Sequence, residues 1–291
     1  MIYADRKTGV IVSGATGNQG SFHINRMNMY ARSVGARGVV AGVTPGKGGQ
    51  EVHNVPVYNS IMEAAEKQDA SAAVLFVPGS AAGDSIMEAA DAGLDLVITI
   101  TEHIAVHDVM RAVTYAQVRG CKVIGPNCPG LFSPGEISMG IMPAHLASRG
   151  SVGVISRSGT LTYEVVHELT RAGIGQSTII GIGGDPIIGQ TFADVLDRFA
   201  DDPLTEAVVI LGELGGNLEE EGAKAADLPV VAFIAGTTAP PEKRMGHAGA
   251  IVTGGEGDAN AKISRLRDLG VPVAERLSQI PGFIREQMKC H

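Results

Sequence analysis

A chain of 291 residues has room for two domains with full hydrophobic cores, since a domain usually takes about 100–200 residues. With 31 acidic residues against 23 basic ones, a formal charge of −8, no tryptophan and 4% aromatics, it is poorly suited to nucleic acid as main ligand or to a carbohydrate stacking platform. Cys121, Cys128 and Cys290 lack metal-ligand and disulfide spacing, and no apolar run approaches the ~20 residues that span a bilayer; a cytoplasmic protein with no metal site and no membrane partner is therefore expected.

Thirty-nine glycines and 44% hydrophobic residues suit closely packed α/β layers joined by tight turns. Residues 10–13 form an apolar run that enters Gly14-Ala15-Thr16-Gly17-Asn18-Gln19-Gly20. Strand, glycine turn and helix N-terminus in that order point free backbone amides at a bound phosphate. The same glycines also suit a turn that merely packs closely, so the motif alone leaves both readings open.

A second strand is predicted at 38–43, and a plain NAD site would place an acid at its end for the ribose hydroxyls. Here the strand runs into Thr44-Pro45-Gly46-Lys47-Gly48-Gly49, a cation among flexible glycines. That favours a ligand with an extra phosphate, NADP or coenzyme A, unless Lys47 only solubilises an exposed loop.

Further strands at 72–77, 96–100 and 122–125 alternate with helical periodicity at 82–91 and 104–118, as a mostly parallel sheet requires. Ligands of open α/β sheets bind at the carboxyl ends of strands. The segments Pro78-Gly79-Ser80, Ile100-Thr101-Glu102 and Gly125-Pro126-Asn127-Cys128 should therefore converge on the crevice of residues 14–20. Glu102 either accepts hydrogen bonds from a ligand or opens the next helix as a first-turn acid. Cys128, among Pro and Gly with no nearby histidine, is read as packing.

Residues 131–150 are punctuated by Pro and Gly without a strong period and read as a crossover, which puts a domain boundary near residue 130. The expectation is α/β throughout: a Rossmann-like domain at 1–130, then a flavodoxin-like domain with a parallel sheet at 131–291.

In the second half, a strand at 152–155 enters Ser156-Arg157-Ser158-Gly159-Thr160-Leu161-Thr162-Tyr163-Glu164. Ser158 and Thr160 can cap the helix that follows, whose N-terminus with Arg157 nearby would stabilise a phosphoryl group or a carboxylate; ordinary capping is the plainer alternative. Strands at 178–182, 207–211 and 229–234 each end in small-residue loops, one carrying Asp185 and one Glu213. Gly246-His247-Ala248-Gly249-Ala250 then sets a histidine between small residues, with Glu242-Lys243-Arg244 before it, and this is the best candidate nucleophile of the chain. Glu213 is a candidate to fix its tautomer, and Asp185 either does the same or forms a turn. A short strand at 249–253, a helix at 259–269 and a final strand and helix within 271–291 complete the pattern.

Taken together, the segments Thr44–Gly49, Gly125–Cys128, Ser156–Glu164, Gly181-Ile182-Gly183-Gly184-Asp185-Pro186 and Arg244–Ala250 closely resemble the alpha subunits of succinyl-CoA synthetase (succinate–CoA ligase) over essentially the full length. The resemblance implies a CoA-binding N-terminal domain and a C-terminal ligase domain. Thr16, Gly17, Asn18 and Gln19 would hold CoA, with Lys47 by its phosphates or ribose and Ile100, Thr101 and Glu102 lining the site. His247 would be the residue phosphorylated, Glu213 its carboxylate partner, Tyr163 a residue at the carboxylate substrate or the histidine loop, and the helix start at Ser158, Gly159 and Thr160 the seat of the phosphoryl group. ATP or GTP and Mg²⁺ would belong to an ATP-grasp beta subunit in an αβ or α₂β₂ complex.

A longer passage from Phe22 to Val43, Ala144 in Met142-Pro143-Ala144-His145 and the run Ala239-Pro240-Pro241-Glu242 depart from the succinate pattern and leave malate, citrate or another acid open. An NADP-dependent oxidoreductase or a non-catalytic CoA-binding module are the competing classes. The first would leave His247 unused, and the second has no need of both Glu213 and His247.

Overall fold

The computed structural model describes residues 1–238, 249 and 257–289. The chain forms two compact units, Tyr3–Met142 with Ile187–Gly189, and Pro143–Pro186 with Gln190–His291 and Met1–Ile2.

In the first unit, β1 (Gly9–Ser13) is buried along its whole length, as a strand covered by helices on both faces must be. It leads into α1 (Asn18–Val34), which ends at Gly35 in the left-handed conformation that stops a helix without a Cβ penalty. There follow β2 (Gly38–Val43), β3 (Glu51–Val52), β4 (Val55–Tyr58), α2 (Ile61–Lys67), β5 (Ala72–Leu75), α3 (Gly79–Asp91), β6 (Leu96–Thr99), α4 (Val106–Val118) and β7 (Lys122–Ile124). The strands lie in the order β3-β4-β2-β1-β5-β6-β7. All neighbours pair parallel except β3 with β4. Chain order reverses between β1 and β5, the place where a Rossmann-type sheet opens its ligand crevice.

The passage read as a crossover without a strong period contains an antiparallel hairpin, β8 (Gly130–Ser133) and β9 (Ile137–Gly140). Its turn has Pro134 then Gly135 at φ 82°, closed by the Glu136 N–H on Ser133 O at 3.0 Å. Gly135 donates its N–H to the Tyr30 hydroxyl at 2.6 Å, and Arg6 grips Glu136 through two bonds of 2.9 Å. Glycine punctuation hid these strands because Gly130 and Gly140 are demanded by contact: a Cβ on Gly130 would lie 2.2 Å from Met139 O.

The second unit runs β10 (Arg149–Ser156), α5 (Gly159–Arg171), β11 (Gln176–Gly181), α6 (Phe192–Ala200), β12 (Ala207–Glu213), α7 (Leu218–Ala225), β13 (Val230–Ala235), α8 (Ala259–Asp268), β14 (Val273–Ala274) and α9 (Ile280–Gln287). Its parallel strands lie in the order β14-β13-β12-β10-β11. This is the flavodoxin-like arrangement, with its switch point between β10 and β12. α6 begins at a reciprocal capping box of Thr191 and Asp194. The predicted strand at 249–253 lies, apart from Gly249, outside the described residues.

Burial and the charge of Asp95 push the Cys121 thiol up to about 11, and Cys128, 5% exposed, donates its S–H to Thr99 O at 3.3 Å. Neither thiol should react with Ellman's reagent in the native protein near pH ~8, and both should on unfolding. Peptide mapping after labelling checks this, and native modification of either would contradict the packing.

Candidate functional site

The first crevice is built from the carboxyl ends of β1, β2, β5 and β6. Gly14, at φ 83°, and Ala15 both donate their N–H groups to Val43 O, at 2.9 and 3.1 Å, which pins the glycine turn to the end of β2. The turn closes through the Gly17 N–H on Gly14 O at 3.0 Å. α1 then starts with no side-chain cap at Gly17 and no acid in its first turn. Its first amides and the positive end of its dipole are thus left to an anion, with Gly17, Asn18 and Gln19 exposed around them.

Lys47 brings its ammonium onto this turn, donating to Thr16 Oγ1 at 3.1 Å, while the Thr44 hydroxyl accepts the Thr16 N–H at 3.2 Å. The structure therefore gathers Thr16, Gly17, Asn18, Gln19 and Lys47 into one cationic rim that fits a phosphate-bearing ligand. From the next loops, Thr101 donates its hydroxyl to Val77 O at 2.7 Å and Ile100 its N–H to Leu75 O at 3.2 Å, tying the ends of β5 and β6 together. Glu102 is exposed in the loop before α4, whose first-turn acid is Asp108, so the helix-opening alternative for Glu102 falls. Sequence reasoning missed His53, at the tip of the β3–β4 hairpin, whose Nε2 lies 3.1 Å from Ser21 Oγ at the start of α1. Strands of two residues give no period to read.

The second cluster sits at the switch point of the second sheet. Ser158 caps α5 through the Leu161 N–H at 3.4 Å, and Gly159 and Thr160 form the first turn of the helix. Tyr163 lies one turn on and is half-buried. Arg157, at the end of β10 and only 4% exposed, faces Glu213 at the end of β12, with Nε 3.4 Å from Glu213 Oε1. Its Nη1 donates to Gly215 O at 3.1 Å and to Glu219 Oε1 at 3.4 Å, while among the described residues its Nε has no hydrogen-bond partner. Gly249 donates its N–H to Gly184 O at 3.1 Å and packs so near Arg157 that an added Cβ would meet Nη2 at 2.7 Å.

His247, two residues before Gly249, lies outside the described residues. Sequence reasoning also missed Glu219 and Lys262, both fully buried behind Glu213. A run of three glutamates and a lysine in a polar helix look like solvated faces, so nothing in the sequence singles them out. Among the described residues, no group of three or more His, Cys, Asp or Glu side chains is placed to hold a metal ion.

Two family models match the chain, a CoA binding domain over residues 5–103 and a CoA-ligase domain over 155–271. The alpha subunit of succinate–CoA ligase [ADP-forming] from Methanothermobacter thermautotrophicus is 53% identical over 291 residues, covering 99% of this chain and 97% of that protein. The chain belongs to the succinate–CoA ligase alpha-subunit family. Other family members include the Staphylococcus epidermidis subunit, 52% identical over 96% of this chain and 92% of that protein, and the Aquifex aeolicus subunit, 49% identical over 99% and 95%.

The family assignment puts the turn at 14–20 and Lys47 in a CoA-binding domain rather than a nicotinamide one, and the switch-point cluster in the ligase domain of an acid–thiol ligase. The fold extends further. ATP citrate lyase from Methanothrix soehngenii, solved with citrate and coenzyme A, matches all of this chain and 51% of its own with a TM-score of 0.88 at 23% identity. Among the described residues, no helix is long and apolar enough to cross a membrane.

Proposed function

We propose that this chain is the alpha subunit of a succinate–CoA ligase that converts succinate, CoA and a nucleoside triphosphate into succinyl-CoA, nucleoside diphosphate and phosphate. The observation that carries the reading is near-full-length identity of about half to subunits of that name, joined to an intact Glu213 and His247. His247 takes the phosphoryl group, passes it to the substrate carboxylate as an acyl phosphate, and the CoA thiol then displaces phosphate. Each transfer passes the activated group directly from one covalent bond to the next, from imidazole nitrogen to carboxylate oxygen and from acyl phosphate to thiol, while the substrates stay positioned.

Within this scheme Glu213 holds the imidazole in the tautomer whose free nitrogen attacks, and the start of α5 at Ser158, Gly159 and Thr160 receives the phosphoryl charge. Tyr163 contacts the carboxylate substrate. CoA rests on Thr16, Gly17, Asn18 and Gln19, with Lys47 at its phosphates and Ile100, Thr101 and Glu102 along its length. The division of labour proposed is CoA binding by 1–130 and ligation by 131–291. The nucleotide and Mg²⁺ are held by an ATP-grasp beta subunit in the cytoplasm, as αβ or α₂β₂.

The test is to co-purify the chain with its partner, supply radiolabelled ATP or GTP with Mg²⁺, and map acid-labile phosphate. Label on His247 is expected, and its absence under turnover conditions overturns the mechanism. A panel of succinate, malate and citrate with CoA then reads the acid, and light scattering of the complex reads its stoichiometry. Lys47→Ala should weaken CoA about tenfold by calorimetry, the loss of one charge-assisted phosphate contact, with a smaller loss at high salt.

A further inference from the structure

We propose that Glu219 and Lys262 form a buried positioning pair that fixes Glu213, and through it the phosphorylated histidine of the proposed mechanism, on which this inference rests. The Glu219 carboxylate is the hub. Its Oε1 accepts the backbone N–H of Glu213 at 3.1 Å and a guanidinium N–H of Arg157 at 3.4 Å, and its Oε2 is bonded to the Lys262 ammonium. Lys262 also donates to Gly215 O at 2.9 Å, the same carbonyl that Arg157 reaches at 3.1 Å. Gly215 in turn gives its N–H to Gly257 O at 2.8 Å. The segment from Glu213 to Gly215 is thus held at its amide, its side chain and its carbonyl by three charged residues, Arg157 just after β10, Glu219 on α7 and Lys262 on α8.

The energetics set this arrangement apart from ordinary core packing. Glu219 and Lys262 have no exposed surface, and Arg157 and Glu213 are 4% and 8% exposed. Taking such ions out of water costs several kcal/mol each, and apolar residues of the same volume usually serve stability as well or better. What an ion network supplies and a methylene core does not is fixed direction: a carboxylate with two oxygens engaged admits one orientation of its partners. Here those partners are the amide of Glu213 and the guanidinium facing its side chain, so the hub sets where the Glu213 carboxylate points. Lys262 sets its ammonium directly against the buried Glu219 carboxylate, so the pair enters the core together.

The experiment uses the co-purified complex with radiolabelled nucleoside triphosphate and compares the parent, His247→Asn, and the charge-balanced double variant Glu219→Gln/Lys262→Met. The double variant is expected to melt close to the parent, because it removes one charge of each sign and keeps volume. It should also take label on His247 about 100-fold more slowly, the scale of an ångström of misplacement, with KM for CoA unchanged. Labelling at the parent rate overturns the proposal, and so does melting far below the parent, which would make the pair a structural device. Label retained by His247→Asn would instead overturn the phosphohistidine reading, so the two failures are told apart.

Discussion

Replacing His247 by Asn is expected to abolish phosphoryl transfer while leaving CoA binding intact. A carboxamide nitrogen keeps a polar group of similar reach, but its lone pair is delocalised into the carbonyl and cannot attack phosphorus. Ligase turnover should therefore fall by roughly 10³-fold or more, since no other residue carries the covalent step. CoA affinity measured by calorimetry should match the parent, because the residues proposed to hold it, from Thr16 to Gln19 with Lys47, lie in the CoA binding domain of residues 5–103. A His247→Asn complex that still exchanged label between nucleoside diphosphate and triphosphate would show that the phosphoryl group is carried elsewhere.

How much of this was legible in the sequence depends on which physical signal each feature leaves. The parallel strands announced themselves as apolar runs because both faces of β1, β5, β6 and β12 are buried, and small residues at their ends marked the crevices. Glu213 could be singled out because a carboxylate in a small-residue loop at a strand end can pair with an imidazole and fix its tautomer. The β8–β9 hairpin stayed hidden because its glycines answer to a neighbouring backbone rather than to a loop. Lys262 and Glu219 stayed hidden for another reason: ionic side chains on short helices carry no mark of burial, and their partner in each case comes from a different element. Contacts of high sequence separation, such as Arg157 with Glu219, exist only once the sheet has put β10 beside β12.

The substitution Gly20→Ala should damage CoA binding more than its single methyl suggests. A Cβ at Gly20 would stand 2.2 Å from Gly14 O and 2.8 Å from Gly14 C, and both are backbone atoms with no rotamer to yield. Gly14 cannot retreat, since its own Cβ direction at φ 83° is closed by Phe76 O at 2.5 Å. α1 must therefore lift off the end of β1, carrying with it the amides of Asn18 and Gln19 that the ligand phosphates need. Overpacking of this kind costs about 1–3 kcal/mol in stability, and pulling the helix-start amides off the phosphates should weaken CoA about tenfold or more, the scale of one hydrogen bond to a charged group.

The comparison that isolates the effect is Gly35→Ala at the other end of the same helix. There φ is 68° and nothing lies within 4 Å of the added carbon. That variant pays only the left-handed backbone penalty of about 1–2 kcal/mol, so it should melt lower yet bind CoA as the parent does. Calorimetric titration of both with CoA decides the matter: equal affinities would mean that the turn at 14–20 is not where the phosphates sit, whereas loss in Gly20→Ala alone ties the binding to the approach of α1 upon β1.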